Sequence, residues 1–305
     1  MTTDTATRAA RLAAVAFDYA GQPRIRVEAC NLCGSRRFVT LTHRDRYGYP
    51  AEATACTRCG LVFLNPVMTA EAYGRFYQHV YRPLVSAYHG RTIDAVTMQP
   101  EQRAYARERA EFLRPHLAGA PGRTLLDIGG STGVVAHELA REFGLEATII
   151  DPAPLEVAEA RALGLETVTG LVEEHDFGSR RFDVVLVCQT VDHLLDIGTT
   201  LRRVRDLLTA DGVLFVDIVD FRAAYLRNRS VEEAIKVDHP YYLTEATMEA
   251  YLRRCGFEVL AGDYAADHLH VGYVCRGGVV SDMLPPPASV TEMLREVRFV
   301  QNALR

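Results

Sequence analysis

The chain has 305 residues, of which 48% are hydrophobic and 24% charged, and a formal net charge of −5. That balance describes a globular chain with room for a substantial core and gives no basis for expecting nucleic acid as a partner. No run of about 18 apolar residues marks a membrane span, and Met1 to Gly21 lacks a secretory apolar core with a cleavage site, so a cytoplasmic protein is expected.

Residues 1–27 read as an alanine-rich extension with a short helix. Seven cysteines follow, four of them as Cys30-x-x-Cys33-Gly and Cys56-x-x-Cys59-Gly. In each knuckle the glycine permits the tight turn that lets two thiolates face one ion. Two knuckles give four thiolates and a closed tetrahedral site, which suits structural zinc and leaves no open catalytic position. Two redox dithiols, the other reading, would leave the 28–66 module with almost no core. Cys188, Cys255 and Cys275 read as thiols in apolar surroundings. From 67 to 118 the sequence is rich in tyrosine and helix formers, a helical connector or lid in which Tyr77, Tyr81 and Tyr88 are candidate substrate contacts.

From Arg123 onward the hydrophobic period switches repeatedly between 2 and 3.6. Strands fit 124–127, 147–151, 166–169, 183–188 and 212–219, with helices at 134–143, 155–163 and 199–208. An irregular insertion follows Asp220. A helix at 245–255 lies between the N-cap Thr244 and the C-cap Gly256. Two strands, 257–264 and 269–275, then form a hairpin, and Pro285-Pro286-Pro287 leads into an amphipathic helix at 290–304, a packing or oligomer element. The first strand ends in Asp127-Ile128-Gly129-Gly130-Ser131-Thr132-Gly133, where a ligand can approach bare backbone and the next helix offers its N-terminal amides. The second strand ends in Asp151, placed to accept hydrogen bonds from ribose hydroxyls.

The segment from Asp127 to Gly133 resembles the S-adenosylmethionine (SAM) site of class I methyltransferases, in which an acidic residue, one further residue and Gly-x-Gly-x-Gly close the first strand. Gly129 and Gly133 match. Ser131 replaces the middle glycine, which suits a backbone that avoids positive φ there. The resemblance implies an α/β fold, a Rossmann-like seven-stranded class I methyltransferase domain over 119–278 beside the small N-terminal zinc-binding module, with residues 279–305 as a C-terminal helical tail. It also implies SAM contacts from Asp127, Gly129, Ser131, Gly133 and Asp151, from Leu171 and Val172 bordering the adenine, and from Cys188 and Gln189 at the end of the fourth strand. His193 falls on the same edge.

A second constellation, Lys236-Val237-Asp238-His239-Pro240-Tyr241-Tyr242, narrows the resemblance, over about residues 28 to 276, to the zinc-containing nucleotide-sugar C-methyltransferases. In that family a Tyr-x-Glu-His segment before a tyrosine-rich turn lies around the substrate. Lys236, Asp238 and His239 hold those places here, with Tyr241 behind them, while the family's further C-terminal domain is not expected. Lys236 is also the single lysine among 34 basic residues. Unlike arginine, a desolvated lysine can lose its proton and act as a base. The expected function is therefore base-assisted methyl transfer from SAM to carbon or oxygen of a sugar-like small molecule, with His193, His239, Lys236 and Asp238 as catalytic candidates. A monomer or homodimer is expected. The alternative is a zinc-ribbon binding or regulatory protein whose Rossmann-like domain only senses SAM.

Overall fold

A computed structural model describes residues 2–117 and 124–303. In chain order the elements are α1 (Thr2–Ala14), β1 (Arg24–Ile25), β2 (Phe38–Thr42), β3 (Ala53–Cys56), β4 (Val62–Leu64), β5 (Val67–Met68), α2 (Ala70–His79), α3 (Tyr81–His89) and α4 (Gln99–Leu117). Then come β6 (Thr124–Ile128), α5 (Val134–Phe143), β7 (Glu146–Asp151), α6 (Pro154–Ala162), β8 (Glu166–Thr169) and β9 (Phe182–Val187). A 3-10 turn, Val191–His193, leads to α7 (Ile197–Leu207), β10 (Leu208–Val219), α8 (Phe221–Asn228), β11 (Tyr241–Tyr242), α9 (Glu245–Arg254), β12 (Phe257–Tyr264), β13 (His270–Gly277) and α10 (Pro287–Asn302).

The chain forms two compact units. One gathers residues 1–97, 221–242 and 285–305, and the other gathers 98–220 and 243–284. The sequence-based boundaries fall elsewhere, because chain proximity hides this interleaving. The helix at 99–117, read as connector, belongs to the second unit, whereas the irregular insertion and, from Pro285 on, the tail belong to the first. The expected boundary at 118/119 and the expected tail end at Leu304 lie outside the described residues.

The second unit is a seven-stranded sheet in the order β12-β13-β10-β9-β6-β7-β8. β10, β9, β6, β7 and β8 run parallel, and β13 returns antiparallel between β10 and β12. Parallel strands are covered on both faces, so they read as continuous apolar runs: Val184 to Val187 and Leu214 to Val216 are fully buried. Leu125, Ile149, Leu186, Phe215 and Val274 form one core with Ala136 and Leu139 of α5 and Leu113 and Leu117 of α4. Thr244 caps α9 in a reciprocal hydrogen-bonded box with Thr247. All five parallel strands end at one edge, where loops can bind ligands.

In the first unit, β11-β4-β3-β2 form an antiparallel sheet. Tyr241 pairs with Phe63 and Tyr242 with Val62. A two-residue strand from the insertion thus completes the sheet that carries the cysteine knuckles. The tail packs in the same unit: Glu296 accepts hydrogen bonds from Arg222 and Tyr225, and Gln301 donates to the Leu41 carbonyl. Among the described residues no helix is long and apolar enough to cross a membrane.

Candidate functional site

In the second unit, β6 ends by burying Asp127 to 1% exposure, with neither carboxylate oxygen hydrogen-bonded. An unpaired buried carboxylate is costly. Burial foremost, then the neighbouring Asp151 and Asp217, pushes its pKa up to about 8. The following turn passes over it through Gly129 at φ 70 and Gly133 at φ 76. Gly130 matters for space instead: a Cβ there would lie 2.6 Å from Asp127 Oδ2 and 2.9 Å from Ile149 Cγ2. Gly130→Ala is therefore expected to weaken SAM binding by roughly tenfold or more, because a packed core cannot yield to the methyl; titration calorimetry reads it directly.

Ser131 corrects the sequence reading. It does take positive φ, at 50°, a conformation costing a non-glycine residue about 1–2 kcal/mol. Its amide donates to Asp151 Oδ2 at 3.0 Å and its hydroxyl to Glu156 Oε2 at 2.9 Å, which offsets that strain. Gln189 repeats the device at the end of β9. It too sits at φ 50, with its amide donating to Asp217 Oδ1 at 2.7 Å. Ser131 and Gln189 are thus each anchored in the left-handed region by a carboxylate on the neighbouring strand.

Asp217 is the functional-edge residue that sequence reasoning missed. It is fully buried in β10, accepts the Tyr105 hydroxyl at 2.7 Å and faces Arg109 at 3.4 Å. Burial drives its pKa up, against the opposing effects of Arg109, the Gln189 amide and Tyr105. The only sequence signal was an acid inside an otherwise apolar strand, Val216-Asp217-Ile218. Cys188 is partly exposed, and burial, Asp127 and Asp217 push its thiol pKa up. Leu171 lies on the surface at 41% exposure, whereas Val172 is buried at 2%. His193 ends the 3-10 turn after β9, half-buried. A cleft of about 500 Å³ lies at the opposite strand edge, around Thr124, Glu146, Thr148 and Glu166. Within it Arg180 holds both Glu166 and Thr148.

In the first unit the cysteine knuckles converge. The four Sγ atoms of Cys30, Cys33, Cys56 and Cys59 all lie within 4.8 Å of one another, with Cys30 to Cys59 and Cys33 to Cys56 both at 3.5 Å. A zinc–sulfur tetrahedron has edges of roughly 3.8 Å. Gly34 and Gly60 sit at φ 69 and 80 and donate to the Cys30 and Cys56 carbonyls, the turn expected of each knuckle. Without a cation the thiols cannot all ionise. The Cys30 contact lowers the Cys56 pKa, while Cys56 pushes Cys30 up to about 12.

The same unit assembles the second constellation. Lys236 Nζ lies 3.0 Å from His239 Nε2, and Asp238 Oδ2 lies 3.3 Å from that nitrogen. Either tautomer of the ring therefore finds a partner, donating to Asp238 or accepting from Lys236. Backbone anchors fix the loop: the Val237 amide donates to buried Asp45, Tyr73 and Tyr77 donate to the Val237 and Asp238 carbonyls, and Tyr242 donates to the Lys236 carbonyl. Burial raises the Asp45 pKa to about 7 despite three amide donors. Tyr81 packs edge-on against Tyr77, and Tyr241 is buried in β11. Both the Arg8 and the Arg46 guanidinium groups lie over the Tyr88 ring, whose hydroxyl donates to Glu233.

A parallel sheet with a glycine turn over one strand-end carboxylate and a second carboxylate at the next strand end defines a Rossmann-like methyltransferase site. The chain belongs to the methyltransferase-domain family, whose profile matches residues 98–261, just over half its length. It is 31% identical over 169 residues to a ubiquinone biosynthesis O-methyltransferase of Azorhizobium caulinodans, covering 50% of this chain and 65% of the relative. With its Caulobacter vibrioides counterpart the identity is 34% over 131 residues, 38% and 50% of the two chains. The chain thus spans less than two thirds of each of these relatives. Among solved structures, a SAM-dependent methyltransferase from Clostridium acetobutylicum is similar at TM-score 0.48 and 14% identity, covering 68% of this chain and 99% of that one.

Proposed function

We propose that this chain transfers the methyl group of SAM to an oxygen or an enolisable carbon of a sugar-like small molecule, and that a structural zinc in the Cys30–Cys33–Cys56–Cys59 cluster holds its first unit together. The observation that carries the SAM half is Asp127, a buried carboxylate without a hydrogen-bond partner under a glycine turn. Such a group fits a cationic ligand, and SAM carries an ammonium and a sulfonium. Asp127, Gly129, Ser131, Gly133, Asp151, Cys188 and Gln189 would hold it, with Leu171 and Val172 bordering the adenine. When bound, SAM supplies an electrophilic methyl on a positively charged sulfur.

The chain's own task is to orient the acceptor and move its proton. The Lys236–His239–Asp238 cluster suits proton handling because its buried nitrogen stays paired in both tautomers. His193, Tyr77, Tyr81, Tyr88 and Tyr241 complete the proposed acceptor and catalytic set. The O-methyltransferase relatives support a second acceptor class, a ring hydroxyl of quinol type. The test is calorimetric titration with SAM, followed by mass analysis after incubation with SAM and a panel of hydroxy-sugars, keto-sugars and hydroquinone. Absence of SAM affinity overturns the reading, and the methylated compound fixes the acceptor class. Lys236→Arg is expected to lower kcat by roughly tenfold or more with the fold intact, because a planar guanidinium cannot reproduce the ammonium's contact with His239 Nε2. Wild-type turnover would remove Lys236 from the mechanism.

A further inference from the structure

The tip between β12 and β13, residues 265–269, is fixed at almost every step. The Ala265 amide donates to the His270 carbonyl at 2.7 Å and the His268 amide to the Ala265 carbonyl at 2.9 Å. Asp267 Oδ1 takes the amides of Leu269 and His270, at 2.9 and 3.0 Å. The tip is also tied to its own unit: the Ala266 amide donates to Glu108 of α4 at 2.7 Å, and the Asp220 amide to the Leu269 carbonyl at 2.9 Å. His268 is held at φ 52, a strain that persists only where the surroundings over-determine it.

What this scaffold orients is a second histidine pair. His270 Nδ1 lies 2.6 Å from Asp267 Oδ2, and 22% of the His270 side chain is exposed. Burial, the largest single influence, pushes the Asp267 pKa up, but the His270 and Leu269 amides and the His270 ring together outweigh it and leave it lowered to about 2. An ionised Asp267 can only accept, so Nδ1 carries the hydrogen, and in the neutral ring Nε2 presents its lone pair. His270 pairs in register with Val219, the last residue of β10, and so stands on the strand edge that carries Asp127, Gly129, Asp151 and Gln189. The charged groups facing it are Asp267 in its own hairpin and Asp217 of β10, which Tyr105 and Arg109 of α4 hold.

We propose that His270, oriented by Asp267, is the general base that takes the acceptor's proton during methyl transfer. The inference rests on the SAM-dependent reading above and adds a base within the methyltransferase unit itself. The acceptor's O–H (or α-C–H) bond breaks, its proton goes to His270 Nε2, and the electron pair left on the acceptor forms the bond to the methyl carbon. The broken carbon–sulfur bond leaves its pair on sulfur.

Two measurements test this. In long-range nitrogen–proton spectra of the ¹⁵N-histidine-labelled full chain with S-adenosylhomocysteine, His270 is identified by its loss in His270→Gln. The expected form is protonated at Nδ1 and bare at Nε2, and an Nε2-protonated ring overturns the proposal whatever the acceptor. In turnover of SAM with hydroquinone and the sugar panel, His270→Gln is expected to lower kcat by about 10²–10⁴-fold with SAM affinity unchanged, and to abolish the acid limb of the kcat/KM profile. Asp267→Asn is expected to follow it by stabilising the wrong tautomer. Turnover of His270→Gln within about twofold of wild type overturns the proposal. Loss of SAM binding by the wild-type chain instead sinks the SAM reading, a separate outcome seen in calorimetry.

Discussion

Replacing Cys59 by serine is expected to abolish metal binding at the proposed zinc cluster and to lower the melting temperature of the first unit by roughly 10 °C or more. The reasoning runs through the sheet. β3 ends at Cys56, the knuckle turns through Gly60, and β4 begins at Val62. β3 and β4 are completely buried but only four and three residues long, too short to be stable without the cross-link. Structural zinc sites contribute on the order of 10 kcal/mol of apparent binding free energy, most of it folding free energy, so losing one thiolate costs several kcal/mol. At ~2–4 °C per kcal/mol for a unit of this size, the shift is large. It also reaches function, because β4 pairs with β11 and the Leu64 amide donates to the Pro240 carbonyl, directly after His239. Scanning calorimetry with metal analysis by atomic emission checks it. One zinc per wild-type chain, none in Cys59→Ser, and retained SAM affinity in the variant are expected. A metal-free wild-type chain with an undiminished melting temperature removes zinc from the account.

The parallel sheet was legible because its signals are local. Apolar runs such as Val184 to Val187, a glycine turn after Asp127 and an acid closing the next strand all lie within windows that periodicity can read. The hairpin and the Thr244 cap were legible for the same reason. Pairing across long separations was not. Nothing near Tyr241 marks it as the partner of Phe63, and only the folded chain shows that the 221–242 insertion completes the cysteine-bearing sheet. Arg109 was hidden by its setting, since the run from Pro100 to Arg114 reads as a charged helix, yet Arg109 is 3% exposed against Asp217. Ser131 shows the converse limit. Its type argued against positive φ, and the carboxylate that compensates comes from a different strand. His270 carried no motif at all, and its role emerges only from the register that places it beside Val219.

Without ligand, the chain is expected to lose stability as pH rises from about 4 through 8, and Asp127→Asn is expected to flatten that loss. Burial, followed by Asp151 and Asp217, raises the Asp127 pKa from 3.8 to about 8. Between those values the folded chain keeps a proton that the unfolded chain has released, so unfolding becomes easier with increasing pH. The contribution is fully present below about pH 4 and gone above about pH 8, a loss of up to about 5 kcal/mol, which denaturant titrations at pH 5, 7 and 9 would read. The same proton couples to the cofactor. A cationic ligand favours the ionised carboxylate, so SAM binding at pH 7 is expected to release close to one proton per chain, and none at pH 9. Calorimetry in two buffers of different ionisation enthalpy measures that number. 5′-Methylthioadenosine, which shares the nucleoside but lacks both cationic centres, is expected to release none at either pH. A SAM enthalpy independent of buffer at pH 7 would mean that Asp127 is not the counter-charge, and the positive end of the cofactor would then have to be assigned to Asp151 or Glu156, the carboxylates that Ser131 of the glycine turn contacts.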